Sequence, residues 1–215
     1  MNTSVAKSLI DTIREEKKRR YERLSFADAE LAYDQWLFTD EPFINEMCLM
    51  LLVAIRHQCE RELVQLAARV VNQGAAMSFE EFKRNVRRLE KPHCWKEIIA
   101  TLKLNDFLEW NTSMETLRLL VNCYKHSPSQ QPNDELKKQL NLDAVNYLPL
   151  PESTCFREKL AVNLGLPQDA DYCDIAEQLM NVTGQFLAKV KIKHRPLLSE
   201  LKPSRPSMDP KDFAC

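Results

Sequence analysis

Three polar residues that can take part in acid–base and phosphate chemistry recur at equal spacing in one short segment of the chain. Arg118, Asn122 and His126 are each four residues apart within the stretch from Thr112 to Ser127. Because a helix turns by about 100° per residue, side chains at this spacing are rotated by only about 40° from one to the next. The segment is otherwise rich in apolar residues, so the sequence predicts a helix with one chemically capable face.

These residue types suit the cleavage of RNA by transesterification. Histidine titrates near neutral pH and can accept or donate the proton that moves in such a reaction. The guanidinium of arginine matches phosphate oxygens and can stabilise the charge that develops on them. We therefore predict that His126 acts as general base or acid, that Arg118 stabilises the phosphate, and that Asn122 orients the reacting groups. Lys125 adds a second cation for phosphate contact, and the scheme requires no metal and no cofactor.

A structural explanation accounts for the same residues without any reaction. The segment Ser127-Pro128-Ser129 ends the predicted helix directly after His126, and cations in a last helical turn are favoured by the helix dipole. On this interpretation Lys125 and His126 belong to a solvated helix end, and Asn122 hydrogen-bonds to a neighbouring helix.

A long amphipathic helix is predicted to hold the other elements in place. It runs from about Pro42 to Asn72, and Gly74 lies just past its end. Its length of about 45 Å, at about 1.5 Å per residue, suits a central strut against which other helices pack. His57 lies within it, and we interpret this residue as structural or exposed rather than catalytic. The apolar residues that repeat along it at steps of three or four are Ile44, Cys48, Leu51, Ile55, Cys59, Leu63, Leu66 and Val70.

Capping patterns and apolar periodicity predict the shorter helices. Ser78-x-x-Glu81 and Thr112-x-x-Glu115 match the capping box, in which two side chains satisfy the first backbone N–H groups of a helix. The helix that starts at Ser78 carries a compact basic face, whose arginines are predicted to bind RNA phosphates. That face consists of Lys83, Arg84, Arg87 and Arg88. Further helices are expected over residues 4–24, 94–104, 134–140, 153–164 and 171–193.

Together these elements predict an all-α fold, a helical bundle around one long central helix. We expect a single domain over residues 1–195, with a motif core at 26–140 and a C-terminal helical extension at 153–195. Residues 196–215 are polar and rich in proline, with little to bury, and are predicted to be disordered.

Composition and charge exclude several classes of protein. The formal net charge of −1 argues against a constitutively basic nucleic-acid binder, although a local basic patch is compatible with it. The chain has only three glycines, too few for the clustered glycines of a phosphate-binding loop. Its seven cysteines include no CxxC pair, so we expect reduced thiols and no zinc site. The longest apolar run, Met47 to Ile55, is too short to span a bilayer. We therefore expect a cytoplasmic protein with no membrane partner.

The segment LRLLVNCYKHS, which follows the long helix and Trp110, resembles the motif of the HEPN superfamily of helical-bundle domains. That motif is an Arg, often followed by a polar residue, and then a His four to six residues further on. Asn122-x-x-x-His126 matches the second part of the motif. Val121 occupies the position where the family often has its Arg, and the nearest upstream Arg, Arg118, lies one turn earlier. In architecture the resemblance covers residues 26–140.

The resemblance implies a metal-independent endoribonuclease of a toxin or defence system. In that superfamily the motif helices of two protomers usually face each other, so the resemblance also implies a homodimer with a composite site near His126. RNA and an antitoxin protein are the partners it implies. Superfamily members with altered motifs are often binding or regulatory modules, and a non-catalytic helical dimerisation or interaction module is therefore the alternative. A small-molecule or nucleotide binder of the same fold is a third hypothesis.

Overall fold

The structure, a computed structural model, describes residues 3–23, 29–127, 130–143, 148–198 and 200–202. It confirms the predicted all-α class, a bundle with one long central helix. The α-helices of the described residues are α1 (Thr3–Arg23), α2 (Ala29–Gln35), α3 (Glu41–Val70), α4 (Phe79–Leu89), α5 (Trp95–Leu102), α6 (Glu115–His126), α7 (Asp134–Gln139), α8 (Thr154–Asn163) and α9 (Tyr172–His194). Short 3₁₀ turns cover Pro92–Cys94, Leu104–Asp106 and Arg195–Leu197, and π turns cover Trp36–Asp40 and Trp110–Met114.

Contacts within the chain group its residues into two compact units. The first comprises residues 1–60 and 105–188, and the second comprises residues 61–104 and 189–215. The expectation of one domain over residues 1–195 stays a prediction, because a group of mutual contacts and an independently folding domain are different properties.

The apolar stripe along α3 is confirmed. All eight of its predicted members are at most 8% exposed. The helix begins at Glu41, within one residue of the predicted start, but the π turn and α2 precede it without a break. The backbone N–H of Glu41 donates to the carbonyl of Trp36, five residues back. Pro42 has no N–H to donate, and a widened turn directly before it accommodates that missing hydrogen bond.

One of the two predicted capping boxes is present and the other is not. At the start of α4 the backbone N–H of Glu81 donates to Ser78 Oγ over 3.2 Å, and the backbone N–H of Ser78 donates to Glu81 Oε2 over 2.7 Å. Thr112 lies inside a π turn, where its hydroxyl donates to the Leu108 carbonyl at 2.9 Å. The predicted capping box at Thr112 is therefore wrong, because the backbone there is already helical and leaves no free N–H group to cap.

The other predicted helices lie close to their expected bounds. α7 is capped by Asn133 and α8 by Ser153, whose side chains accept from the backbone N–H groups of Leu136 and Phe156. α5 ends two residues earlier than predicted, because Lys103 adopts a left-handed conformation with φ of 47°. Position 24, the predicted end of the first helix, lies outside the described residues.

A short strand pairing lies in the second unit, where the sequence predicted none. Met77–Ser78 (β1) pairs in parallel with Leu201–Lys202 (β2), with Met77 opposite Leu201. The N–H of Met77 donates to the carbonyl of Glu200 at 3.0 Å. The described part of the predicted disordered tail therefore has regular backbone at 196–197 and 201–202. Position 199 and residues 203–215 of that tail lie outside the described residues.

The first part of α9 packs within the first unit. Its predicted apolar members Ile175, Leu179 and Phe186 are fully buried. The ring of Phe186 stacks on Trp110 and meets Phe107 edge-on, with centroid distances of 5.8 Å in both pairs. Thr183 is also fully buried, and its hydroxyl donates to the Leu179 carbonyl at 2.6 Å. No helix among the described residues is both long and apolar enough to cross a membrane.

Replacing Phe186 by Ala should remove a large part of the stability of the first unit. The substitution leaves a cavity beside Trp110 and Phe107, and such a change in a packed core costs about 3–5 kcal/mol. The matched control is Val162→Ala on α8, where the side chain is 57% exposed and a change below about 0.5 kcal/mol is expected. Urea unfolding followed by circular dichroism measures both. Equal losses in the two variants would contradict the packing described for Phe186.

Candidate functional site

The predicted Arg-Asn-His face lies on α6. Its other side faces the core, with Thr116, Leu117, Leu119, Leu120, Val121 and Cys123 all buried. On the outward side the exposure increases along the helix. Arg118 has 29% of its side chain exposed, Asn122 is half-buried, and His126 is exposed in the last turn. The helix ends where predicted, because Ser127 is extended and only its N–H continues the pattern, donating to the Cys123 carbonyl.

Val121 belongs to the buried side of α6, with only 2% of its surface exposed. This is the position where HEPN motifs often carry an arginine. An arginine there would have to place its charge in the core, at a cost of several kcal/mol without a partner. The packing of α6 therefore requires an apolar residue at position 121, and the outward arginine of this helix is Arg118.

Arg118 is held by carboxylates of α6 and α7. Its Nε and Nη2 donate to the two carboxylate oxygens of Glu115 at 2.8 and 2.6 Å, and Glu135 Oε2 lies 3.5 Å from Nη2. The hydrogen bonds to Glu115 raise the pKa of the guanidinium, against the opposing effect of its partial burial. Arg118 is therefore cationic throughout the working pH range, but its donor fork is already engaged by an acidic side chain.

Lys125 contacts α3 through His57. Its Nζ lies 3.1 Å from His57 Nε2, and the other ring nitrogen of His57, Nδ1, lies 3.3 Å from Glu60 Oε2. The second carboxylate oxygen of Glu60 accepts from Nη2 of Arg56. Burial lowers the pKa of Arg56, and the positive charge of Arg118 acts in the same direction. The first unit therefore holds a run of alternating charges and hydrogen bonds along the outward sides of α3 and α6.

Asn122 and His126 differ from their neighbours, because no described group hydrogen-bonds to either side chain. The structural interpretation predicts a hydrogen bond between Asn122 and a neighbouring helix, and the described residues include no such hydrogen bond. A half-buried amide and an exposed imidazole, one turn apart, can therefore both bind a ligand without breaking an existing hydrogen bond.

The last turn of α6 lies over the middle of the first-unit part of α3. Tyr124 Oη donates to Glu46 Oε1 at 3.1 Å, whereas the adjacent Lys125 reaches His57. Glu46 and His57 are about 16 Å apart along α3, at about 1.5 Å per residue. Between these two contacts the outward side of α3 presents Met50, which is 56% exposed. The side of α6 that carries Tyr124 and Lys125 thus faces a mixed polar and apolar surface of α3.

The predicted basic face of α4 belongs to the second unit and forms a separate group. Arg88 donates from both Nη atoms to the carboxylate of Glu97 at 2.7 Å, and Lys83 pairs with Glu80 at 3.2 Å. Arg84 and Arg87 are exposed and have no described ion-pair partner. They line an open cleft of about 680 Å³ together with Ser78, Glu80, Glu81 and Lys83. Of the predicted phosphate-binding arginines, Arg84 and Arg87 are available to an anion and Arg88 is engaged.

No protein-family model, no curated protein and no solved structure matches the chain. The resemblance to HEPN domains therefore rests on the motif residues and on the all-α bundle around a long helix. Among the described residues no three His, Cys, Asp or Glu side chains converge as metal ligands would.

The contacts of α3 with this candidate site were not predicted from the sequence. His57 and Glu60 are three residues apart on one helix face, a spacing that brings an imidazole and a carboxylate into contact. That pairing was readable from the sequence. The contact of His57 with Lys125 was not, because the two residues are separated by 68 positions in the chain.

Tyr124 gives a pH-dependent test of how α6 packs on α3. Burial and the hydrogen bond to Glu46 raise the pKa of Tyr124 to about 12, above the ordinary value of about 10. The neutral phenol therefore stabilises the fold below about pH 10, and this contribution is lost as the pH rises towards the folded-state pKa. Tyrosinate absorbance should show one transition near pH 12 that disappears in Tyr124→Phe and moves down in Glu46→Gln. Tyr33→Phe, at a 57% exposed position, is the control and should leave that transition in place. Its persistence in Tyr124→Phe would contradict the assignment.

Proposed function

We propose that this protein is a HEPN-like, metal-independent endoribonuclease of a toxin or defence system. The observation that carries the proposal is the outward side of α6, where Arg118, Asn122 and His126 follow one another at single-turn steps. Asn122 and His126 are the two members whose side chains no described group binds. The site thus combines a proton-transfer group, a phosphate-binding cation and an orienting amide on one rigid element.

Each residue has a definite role in the proposed reaction. His126 transfers a proton to or from the reacting oxygens, as general base or acid. Arg118 stabilises the negative charge on the phosphoryl oxygens in the transition state. Asn122, between them, orients the scissile phosphate, and Lys125 makes a secondary phosphate contact.

The two cations must change partners when RNA binds. Arg118 has to exchange at least one carboxylate oxygen of Glu115 for a phosphate oxygen, and Lys125 has to leave His57. The free energy gained from each phosphate contact is therefore only the difference between the new ion pair with phosphate and the ion pair or hydrogen bond that it replaces. Arg84 and Arg87 on α4 are proposed to bind RNA phosphates elsewhere on the molecule, because they give up no described ion pair.

We propose a homodimer in which two copies of α6 form a composite site around the scissile phosphate. One arginine and one histidine surround a phosphate poorly, and a two-fold axis near His126 doubles both. The exposed His126 and Met50 belong to the open surface that such a contact would cover. A protein that is strictly monomeric at working concentrations would exclude the composite site. An antitoxin protein remains the proposed regulatory partner and the cytoplasm the proposed location.

A non-catalytic dimerisation or interaction module is the alternative. Exposed apolar side chains on and after α2 favour it, since Leu31 is 72% exposed and Phe38 is 78% exposed. Large apolar residues this exposed commonly mark a surface that a partner covers. On this alternative the ion pairs of Arg118 and Lys125 serve only to hold the helices together.

Cleavage of a structured RNA pool by the pure protein in the presence of EDTA tests the proposed activity. The wild type should cleave, because the scheme uses side chains and no metal. His126→Ala and Arg118→Ala should each lower the rate by about 10²-fold or more, the effect of removing a proton-transfer group or a charge-stabilising donor.

The matched controls are His93→Ala and Arg195→Ala, at exposed positions of the second unit, which should cleave like the wild type. A wild type without activity on any RNA would favour the interaction module. Equal activity in wild type and His126→Ala would assign the cleavage to a contaminant or another site.

Glu115→Gln should strengthen RNA binding. The substitution keeps the shape of the side chain but removes the nearer of the two carboxylates that engage Arg118. Of the described carboxylates only Glu135, at 3.5 Å, then competes with phosphate for the guanidinium. We expect the affinity for RNA to rise by about 2–5-fold, the contribution of one exposed ion pair. The slope of log affinity against log salt concentration should steepen by about one.

Glu90→Gln makes the same change of net charge at an exposed carboxylate with no described partner. Comparison of the two variants distinguishes the loss of the Glu115 contact of Arg118 from a general gain of positive charge. The same affinity gain in both variants would count against a phosphate-binding role for Arg118.

A further inference from the structure

His57 has the contacts of an acid–base group, because one of its ring nitrogens is held by a carboxylate and the other faces an ammonium group. It lies on the outward side of α3 with 48% of its side chain exposed. Its Nδ1 faces the Glu60 carboxylate at 3.3 Å, and its Nε2 faces the ammonium of Lys125 at 3.1 Å. Lys125 directly precedes His126 in the last turn of α6, so His57 contacts the turn that carries the second imidazole.

The partners of His57 define its tautomer. An ammonium group can only donate hydrogen bonds, so the Nε2 that faces Lys125 must be the unprotonated acceptor. The ring proton is therefore on Nδ1, which donates to Glu60. This is the arrangement of a general base whose rear nitrogen is fixed by a carboxylate and whose front nitrogen is unprotonated.

Glu60 is itself held in place by Arg56. Arg56 has only 16% of its side chain exposed, and its guanidinium donates to the oxygen of Glu60 that does not contact His57. The carboxylate is thus bound on one side by a nearly buried cation, and its second oxygen remains for the imidazole. Arg56 and Glu60 are positioning residues for His57.

We propose that His57 is the general base of the site and that His126 is its general acid. This inference rests on the proposed ribonuclease function and assigns the two proton transfers of that reaction. Its substrate is RNA with a 2′-hydroxyl next to the scissile phosphate.

The reaction balances with these two groups and no further reagent. Nε2 of His57 takes the proton of the 2′-hydroxyl, and the 2′-oxygen forms a bond to phosphorus. The bond between phosphorus and the 5′-oxygen of the next nucleotide breaks, and that oxygen takes a proton from the His126 imidazolium. The products are a 2′,3′-cyclic phosphate and a 5′-hydroxyl end. Exchange of one proton with water at each imidazole restores the starting state.

Lys125 has a defined part in this step. In the free protein its ammonium occupies the place in front of Nε2 that the 2′-hydroxyl must take. Its flexible stem and exposed position let it move to an adjacent phosphate oxygen. The same cation thus covers the base in the empty site and neutralises phosphate charge in the occupied one.

Cleavage assays with two substrates test the assignment. On RNA, His57→Ala and His126→Ala should each lose about 10²–10⁴-fold in rate, and added imidazole should restore part of the activity of His57→Ala. On uridine 3′-(4-nitrophenyl phosphate) the leaving group departs without a proton. There His126→Ala should recover towards the wild-type rate, whereas His57→Ala should remain impaired.

His57→Gln keeps the polarity of the side chain and is the control for folding. His93→Ala, at an exposed position, is the control for loss of an unrelated imidazole. Nitrogen NMR of His57 should show the Nδ1-protonated tautomer. A His57 ring protonated at Nε2 would overturn the proposal.

The outcomes separate this inference from the proposed function. A wild type that cleaves RNA while His57→Ala cleaves equally fast overturns the role of His57 and leaves the ribonuclease in place. Recovery of His57→Ala on the activated substrate would make it the acid and overturn the assignment as base. A wild type that cleaves no RNA removes both proposals.

Discussion

The burial of one side of α6 is the constraint on which the candidate site depends. Leu117, Leu120 and Val121 are at most 2% exposed, and burial of such side chains is worth about 1.5–3 kcal/mol each. These contacts fix the rotation of α6 about its own axis. Once that rotation is fixed, Arg118, Asn122 and His126 can only lie on the outward side, whether or not they have a catalytic function. The polar face is thus held in place by apolar contacts behind it.

The charges of the site are satisfied before any ligand arrives. Glu115 and Glu135 hold Arg118, and Glu60 is shared between Arg56 and His57. Such a network serves a structural protein and an enzyme equally well, because ion pairs of this kind align helices and also set the state of catalytic groups. A purely structural network and a catalytic one differ in one respect. In the catalytic one, a phosphate can replace a carboxylate as the partner of a cation. The measurable quantities are therefore differences in affinity and rate between matched variants.

Periodicity predicted the parts of the fold that depend on local sequence. The stripe from Ile44 to Val70 and the capping box at Ser78 were predicted correctly, because both patterns involve neighbours on one helix. The same box pattern failed at Thr112, where a π turn already continues the helix. The pairing of Met77 with Leu201 and the contact of His57 with Lys125 join distant parts of the chain. No spacing within a segment reveals such contacts.

The burial of Val121 also limits the substitutions that α6 tolerates. Changing Val121 to Arg would insert an unpaired charge into the core of the first unit. An arginine at this position would first need a compensating rotation or shift of α6. Redesign of the polar face is therefore confined to the outward positions of the helix, where a side chain can change without disturbing the core.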